Sequence, residues 1–364
     1  MRFEVSRVLD AIELRLTTDP AVARGVVDLA EVLRYADLDG GRAASLLRLG
    51  QVVDALARLL ADQSATVYTV VDRSVLSDGD LTSNERMVIR RWADDGLVEV
   101  VQAAGDRVFE VADLTGLPVL SRRDPGRLAE AYPWLINDLG RLLKPVAGGG
   151  GTMLVGAAGV ATSGASTHPF LSRLWQCPET GCELFGPDRM AGQPPPRIRA
   201  GVPTCPRHEH RLADGGPRPA SVTLAVRIGG VVRHRFAVTA GTAVTVGREP
   251  TEAPAVRLGV WLPEDARMMV SRNHLVVTLG PAGVEVRDSS TNGTVVRTPA
   301  GPDGSTEEVR LSRGDSHVLG DRDVVEVYDD VELARPGRWR TGGMVEARSV
   351  MADAPTVAMR MPNG

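Results

Sequence analysis

Residues 288–294 read Asp288-Ser289-Ser290-Thr291-Asn292-Gly293-Thr294, DSSTNGT in one-letter code, directly after Val284-Glu285-Val286-Arg287. Val284 and Val286 alternate with polar neighbours as a half-buried strand does, and Asn292-Gly293 marks a tight turn at its end. Gly293 can take positive φ without penalty. A plain hairpin needs only the Asn-Gly pair. The extra hydroxyls of Ser289, Ser290 and Thr291 therefore need partners, either in nearby backbone or outside the chain.

Two stretches upstream share the design. VTVGRE (residues 244–249) sets Gly247 and Arg248 just after an alternating strand, and VSRNHLVVTL (residues 270–279) sets Ser271, Arg272, Asn273 and His274 just before one. A guanidinium fork, a hydroxyl and an amide at three strand ends form a candidate anion site, because arginine grips two phosphate oxygens through parallel charge-assisted bonds.

With Gly314-Asp315 and Leu319-Gly320 following in order, these motifs resemble the forkhead-associated (FHA) domain over residues 219–335. The resemblance implies an eleven-stranded β-sandwich whose loops bind phosphothreonine peptides, and hence a partner phosphorylated by a Ser/Thr kinase. It implies that Arg248 and Ser271 hold the phosphate with Arg272 assisting, that Asn292 grips the peptide backbone and that Thr291 lines a pocket for the threonine methyl. Gly247, His274 and Gly293 would support the loops. The connection from Arg248 to Ser271, which contains GVWLPEDARMM (residues 259–269), is longer than the family pattern.

The whole chain sets the bounds. Its 364 residues allow two or three domains, and 43% hydrophobic with 24% charged residues suits a soluble cytoplasmic protein. MRFEVSRVLDAIELRL at the start carries charges throughout, unlike a signal peptide, and no apolar run reaches membrane-spanning length. A net charge of −4 gives no global attraction to nucleic acid or anionic lipid. Lys144 is the only lysine, which points to the codon bias of a GC-rich genome.

Residues 1–62 read as helices, with Asp19 a cap before Pro20 and GRAASLLRLGQVVDALARLLADQ apolar at helical spacing. ATVYTVV then reads as a strand, SNERMVIRRW as a helix, and VEVVQAAGDRVFEV as two strands around a turn at Ala104, Gly105 and Asp106. That order predicts a helical, winged-helix-like domain over 1–125, with Ser83, Asn84, Arg86 and Arg90 facing a groove and Arg107 on the wing. Its charge opposes DNA binding: 15 arginines and no lysine stand against 21 carboxylates, a net of −6 over 1–125. A protein-interaction module is favoured, with a DNA-binding transcription regulator as the alternative.

GRLAEAYPWLINDLGRLL reads as a further helix and AGGGG as the start of a flexible linker, together spanning 126–165. Over 166–213 all three cysteines appear, as Cys177-x4-Cys182 and Cys205-x2-His208, with His210 an alternative fourth ligand. Two Cys-Pro turns resemble the knuckles of a zinc ribbon, and three thiolates with one imidazole would close a structural Cys3His zinc site with no position open for substrate. Protease, hydrolase, P-loop and kinase signatures are absent, and His168, His234 and His317 stand isolated in the sequence, so a non-enzymatic role is expected.

The chain thus reads as multidomain: an α-helical, winged-helix-like region, a small zinc ribbon, an all-β FHA sandwich over 214–335 and a disordered tail over 336–364. In that tail Thr356, with Met359 three residues on, suits a kinase site and a ligand of the same pocket.

Overall fold

The computed structural model describes residues 2–60, 62–124, 126, 128–149, 151–156, 168–187, 192–299 and 306–336. The expected tail, with Thr356, and most of the Gly-rich linker lie outside the described residues. The described residues divide into two compact units: those of 1–59 with 65–215, and those of 60–64 with 216–336.

The first unit is built on a seven-stranded sheet: β1 (Leu16–Thr17), β2 (Ala23–Asp28), β3 (Thr66–Asp72), β4 (Glu99–Val101), β5 (Val119–Leu120), β6 (Leu142–Gly148) and β7 (Gly151–Val155). The order is β1-β3-β2-β5-β6-β7, with β4 also on β3. Every pairing is parallel except the β6–β7 hairpin. Strands of a parallel sheet are covered on both faces, so they read as continuous apolar runs. TVYTVVD of β3 is such a run, with Val67 to Val71 all buried.

This α/β unit replaces the expected winged helix. Residues 104–115, expected to be a wing turn and its second strand, form a helix (Ala104–Thr115) closed by Gly116 in the left-handed region, whose N–H donates to Ala112 O. Ala104, Val108, Val111 and Ala112 recur at helical spacing and are buried against the sheet. That burial outweighs the turn signal of Gly105-Asp106. The helix expected across 126–143 is confined to Trp134–Asn137 with a 3-10 turn after it, and Leu142 and Leu143 open β6 instead. Gly148 pairs with Gly151 in the β6–β7 hairpin, so these two glycines, expected to begin a linker, belong to paired strands. Apart from residues 60–64, the described residues of the segments expected to be separate at 1–125, 126–165 and 166–213 fall in one unit.

Among the described residues the second unit holds eleven further strands in two sheets. One contains Val231–Thr239, Ser221–Ile228, Val331–Ala334, Val324–Tyr328, Thr294–Pro299 and Thr306–Leu311, in that spatial order. The other contains Ala255–Arg257, Val244–Gly247, Leu275–Gly280, Gly283–Asp288 and Ser316–Leu319. The alternating residues of both sheets meet in one apolar core: Leu224, Val226, Val296 and Val325 from the first, Val246, Val277, Val284 and Val286 from the second. Period-2 patterning of this kind is what a sheet with one buried face requires.

Candidate functional site

In the second unit the three loops singled out in the sequence meet at one end of the five-stranded sheet. Gly247 ends its strand where a Cβ would lie 2.0 Å from Arg272 O, so only glycine fits. Arg248 N–H donates to Ser271 O at 2.9 Å, joining the first loop to the second. Thr291 N–H donates to Ser271 Oγ at 3.1 Å, joining the third. His274 is fully buried; its N–H donates to Val246 O, and its Nδ1 accepts from Ser271 N–H at 3.2 Å. Burial holds its pKa below the ordinary histidine value.

The surplus hydroxyls of DSSTNGT divide into two sets. Asp288, buried, accepts from Ser290 N–H at 2.9 Å, from Ser290 Oγ and from Thr294 Oγ1. Ser290 Oγ in turn accepts from Gly293 N–H at 2.8 Å. Gly293 sits at φ +79°, where a Cβ would lie 2.8 Å from Leu311 O. These inner groups form a rigid hub, and Thr291 and Asn292 are left exposed on its outside. Asp288, Ser290 and Thr294 were not identified as site residues from the sequence; an aspartate ending a strand before Ser-Ser reads only as a turn former.

The long connection after Arg248 supplies a rim. It carries a short strand (Ala255–Arg257), a 3-10 turn and the helix Glu264–Met269. Arg248 Nη1 donates to Arg267 O at 2.6 Å, and Asn292 Nδ2 to Met269 O at 2.9 Å. Among the described residues neither Arg248 nor Arg272 has a carboxylate within ion-pair distance, whereas Arg267, in the same rim, donates to Gly259 O. Two uncompensated cations, a hydroxyl and an amide thus share one loop cluster.

The cysteine segment lies in the first unit. Cys177, Cys182, Cys205 and His208 bring their ligand atoms within 4.8 Å of one another. The separations are 3.8 Å for Cys182 Sγ to Cys205 Sγ, 3.5 Å for Cys177 Sγ to His208 Nδ1 and 3.7 Å for Cys205 Sγ to His208 Nδ1. Bond lengths to zinc of about 2.3 Å for sulfur and about 2.0 Å for nitrogen put the edges of a tetrahedron at about 3.8 and about 3.5 Å, and these three separations match them. The cysteines are free, and 3.8 Å is far from a disulfide bond. His210 instead turns outward to Glu179 at 3.3 Å. Sharing a hydrogen bond with Cys205 lowers the Cys182 thiol to about 5, while burial raises that of Cys177. Trp175, Leu184, Phe185 and Leu212 pack around the cluster as a small apolar core.

Of the five residues expected to face DNA, Arg107 alone is buried. Arg107 is fully buried, bonded to Glu99 at 2.7 Å and to Pro195 O at 2.6 Å. Arg86 donates to Asp78 O, and Ser83 lies in the first turn of a helix capped by Thr82 and Glu85. Asn84 is exposed on that helix, and Arg90 donates to Leu76 O. No described helix is long and apolar enough to cross a membrane.

No family model matches the chain, and neither does any curated protein. Solved structures similar to part of it include the MEK1 FHA domain, at 22% identity over 31% of this chain and 86% of that one, with a TM-score of 0.23. The same domain in complex with a HOP1 pThr318 peptide is 20% identical over 30% of this chain and 92% of that one, at TM-score 0.21. The FHA domain of CT664 from Chlamydia trachomatis is 20% identical over 32% and 95%, at TM-score 0.23. Scores of this size carry no weight in assigning a function; the residues of the loops do.

Proposed function

We propose that the second unit is a phosphothreonine-binding module of the FHA type and that the protein is a cytoplasmic adaptor for partners phosphorylated by a Ser/Thr kinase. Arg248 and Ser271 hold the phosphate with Arg272 assisting, Asn292 grips the peptide backbone, and Thr291 lines the pocket for the threonine methyl. Gly247, His274 and Gly293 keep the loops in place. The observation that carries this reading is the pair of cations without carboxylate partners, Arg248 and Arg272, in loops locked together by Ser271. A dianionic phosphate is the ligand such a set suits best.

The Cys3His cluster holds a structural zinc in this reading. Zinc there cross-links two turns that have only a small apolar core of their own. Calorimetry with a bound phosphothreonine peptide tests the main assignment: Arg248→Ala should cost about 2–5 kcal/mol of binding with the protein still folded. A folded variant that binds as well as the parent would remove Arg248 from the site.

A further inference from the structure

We propose that the first unit carries an anion site of its own: a pocket for a single phosphate group, formed where the metal-binding turn meets the carboxyl ends of β3 and β4. Arg73 directly follows β3 and Gln102 directly follows β4, and the two strands are parallel with Asp72 opposite Val101. Ligands of open parallel sheets bind at the carboxyl ends of the strands. There Arg73, Arg90 and Arg207 line one cavity of about 220 Å³, with Gln102 beside them and Val101 and Pro206 among its apolar walls.

The three arginines reach this cavity from three elements: the turn after β3, the helix Ser83–Asp94, and the Cys205-to-His208 turn. The Arg73 side chain makes no hydrogen bond or ion pair among the described residues. Arg90 uses one donor on Leu76 O at 2.7 Å, and Arg207 Nη1 lies 3.0 Å from Glu183 Oε2 as an ion pair. Each guanidinium has five N–H donors, so most remain for a ligand. Asp94 is the one carboxylate among the lining residues, leaving the cavity cationic.

Size and charge choose the ligand class. The cavity is smaller than the roughly 300–1,000 Å³ of typical small-molecule pockets, which suits a phosphate or phosphomonoester group rather than a dinucleotide. The net of −6 over residues 1–125 repels a polyanion such as a nucleic-acid duplex, but a single anion feels mainly the three nearby cations. Arg207 lies between two residues of the Cys3His cluster, so closing that cluster on a metal fixes one wall of the pocket.

Equilibrium dialysis of labelled inorganic phosphate against the full-length, zinc-loaded protein tests the site, in an Arg248→Ala background that silences the loops of the second unit. One saturable equivalent is expected, weakened at least about tenfold by Arg73→Ala and likewise by Arg90→Ala, and unchanged by Arg313→Ala on the surface of the second unit. Arg73→Ala removes no described bond, so its effect cannot be put down to unfolding. Absence of saturable binding, unchanged affinity in either pocket variant, or Arg73-dependent retention of a DNA or RNA duplex would overturn the proposal.

Discussion

The Asp288 carboxylate, buried at the end of its strand, accepts from Ser290 N–H, Ser290 Oγ and Thr294 Oγ1. Asp288→Ala leaves those donors without an acceptor inside the protein and should cost about 3 kcal/mol of stability, read from urea unfolding of the full chain. Ser289→Ala removes only a 3.3 Å bond to Asn273 O and should cost far less. His274 adds a pH dependence. Its folded pKa is held below 6.5 by burial, as is that of His234, so both favour the neutral form when folded. Their contribution is complete above about pH 6.5 and is lost as pH falls through the folded values. Protonating His274 at Nδ1 would also remove the acceptor for Ser271 N–H. Unfolding midpoints measured between pH 8 and pH 5 should therefore fall on the acid side, and less steeply in His274→Gln. The outward residues of the loops were legible because they sit beside an Asn-Gly turn and a Gly-Arg pair. The inner hub was not, because which hydroxyl turns inward depends on a buried acceptor that only the folded strands bring into place.

At the scale of elements, the two knuckles meet as a sequence spacing cannot guarantee, since Cys182 and Cys205 are separated by 22 residues yet lie 3.8 Å apart at sulfur. Protein prepared without chelator should carry about one equivalent of zinc, and metal analysis should find it lost in Cys205→Ser and His208→Ala but retained in His210→Ala. Loss in His210→Ala with retention in His208→Ala would reverse the choice of ligand. The helix Ala104–Thr115 shows the opposite case, where local signals misled. Gly105-Asp106 reads as a turn, and Val108, Val111 and Leu114 admit both strand and helix over so short a run. Packing against Tyr68, Val101 and Val119 decides for the helix, and Arg107 is then drawn to the buried Glu99 rather than to a groove.

At the scale of the molecule, the β unit was legible because strands such as Leu275–Gly280 and Gly283–Asp288 bury one face, which writes a period of two into the sequence. The α/β unit was not, because its central strands are buried on both faces and their apolar runs resemble buried helix segments. Parallel strands also pair across long separations, as Val26 does with both Tyr68 and Val119, and no local pattern records that. The central claim concerns the other unit. An oriented library of phosphothreonine peptides, panned on the full-length protein beside its phosphoserine and unphosphorylated counterparts, tests it most directly. Selective retention of phosphothreonine peptides, lost in Arg248→Ala, is the predicted result; equal retention of all three sets, or selection that survives Arg248→Ala, would contradict it.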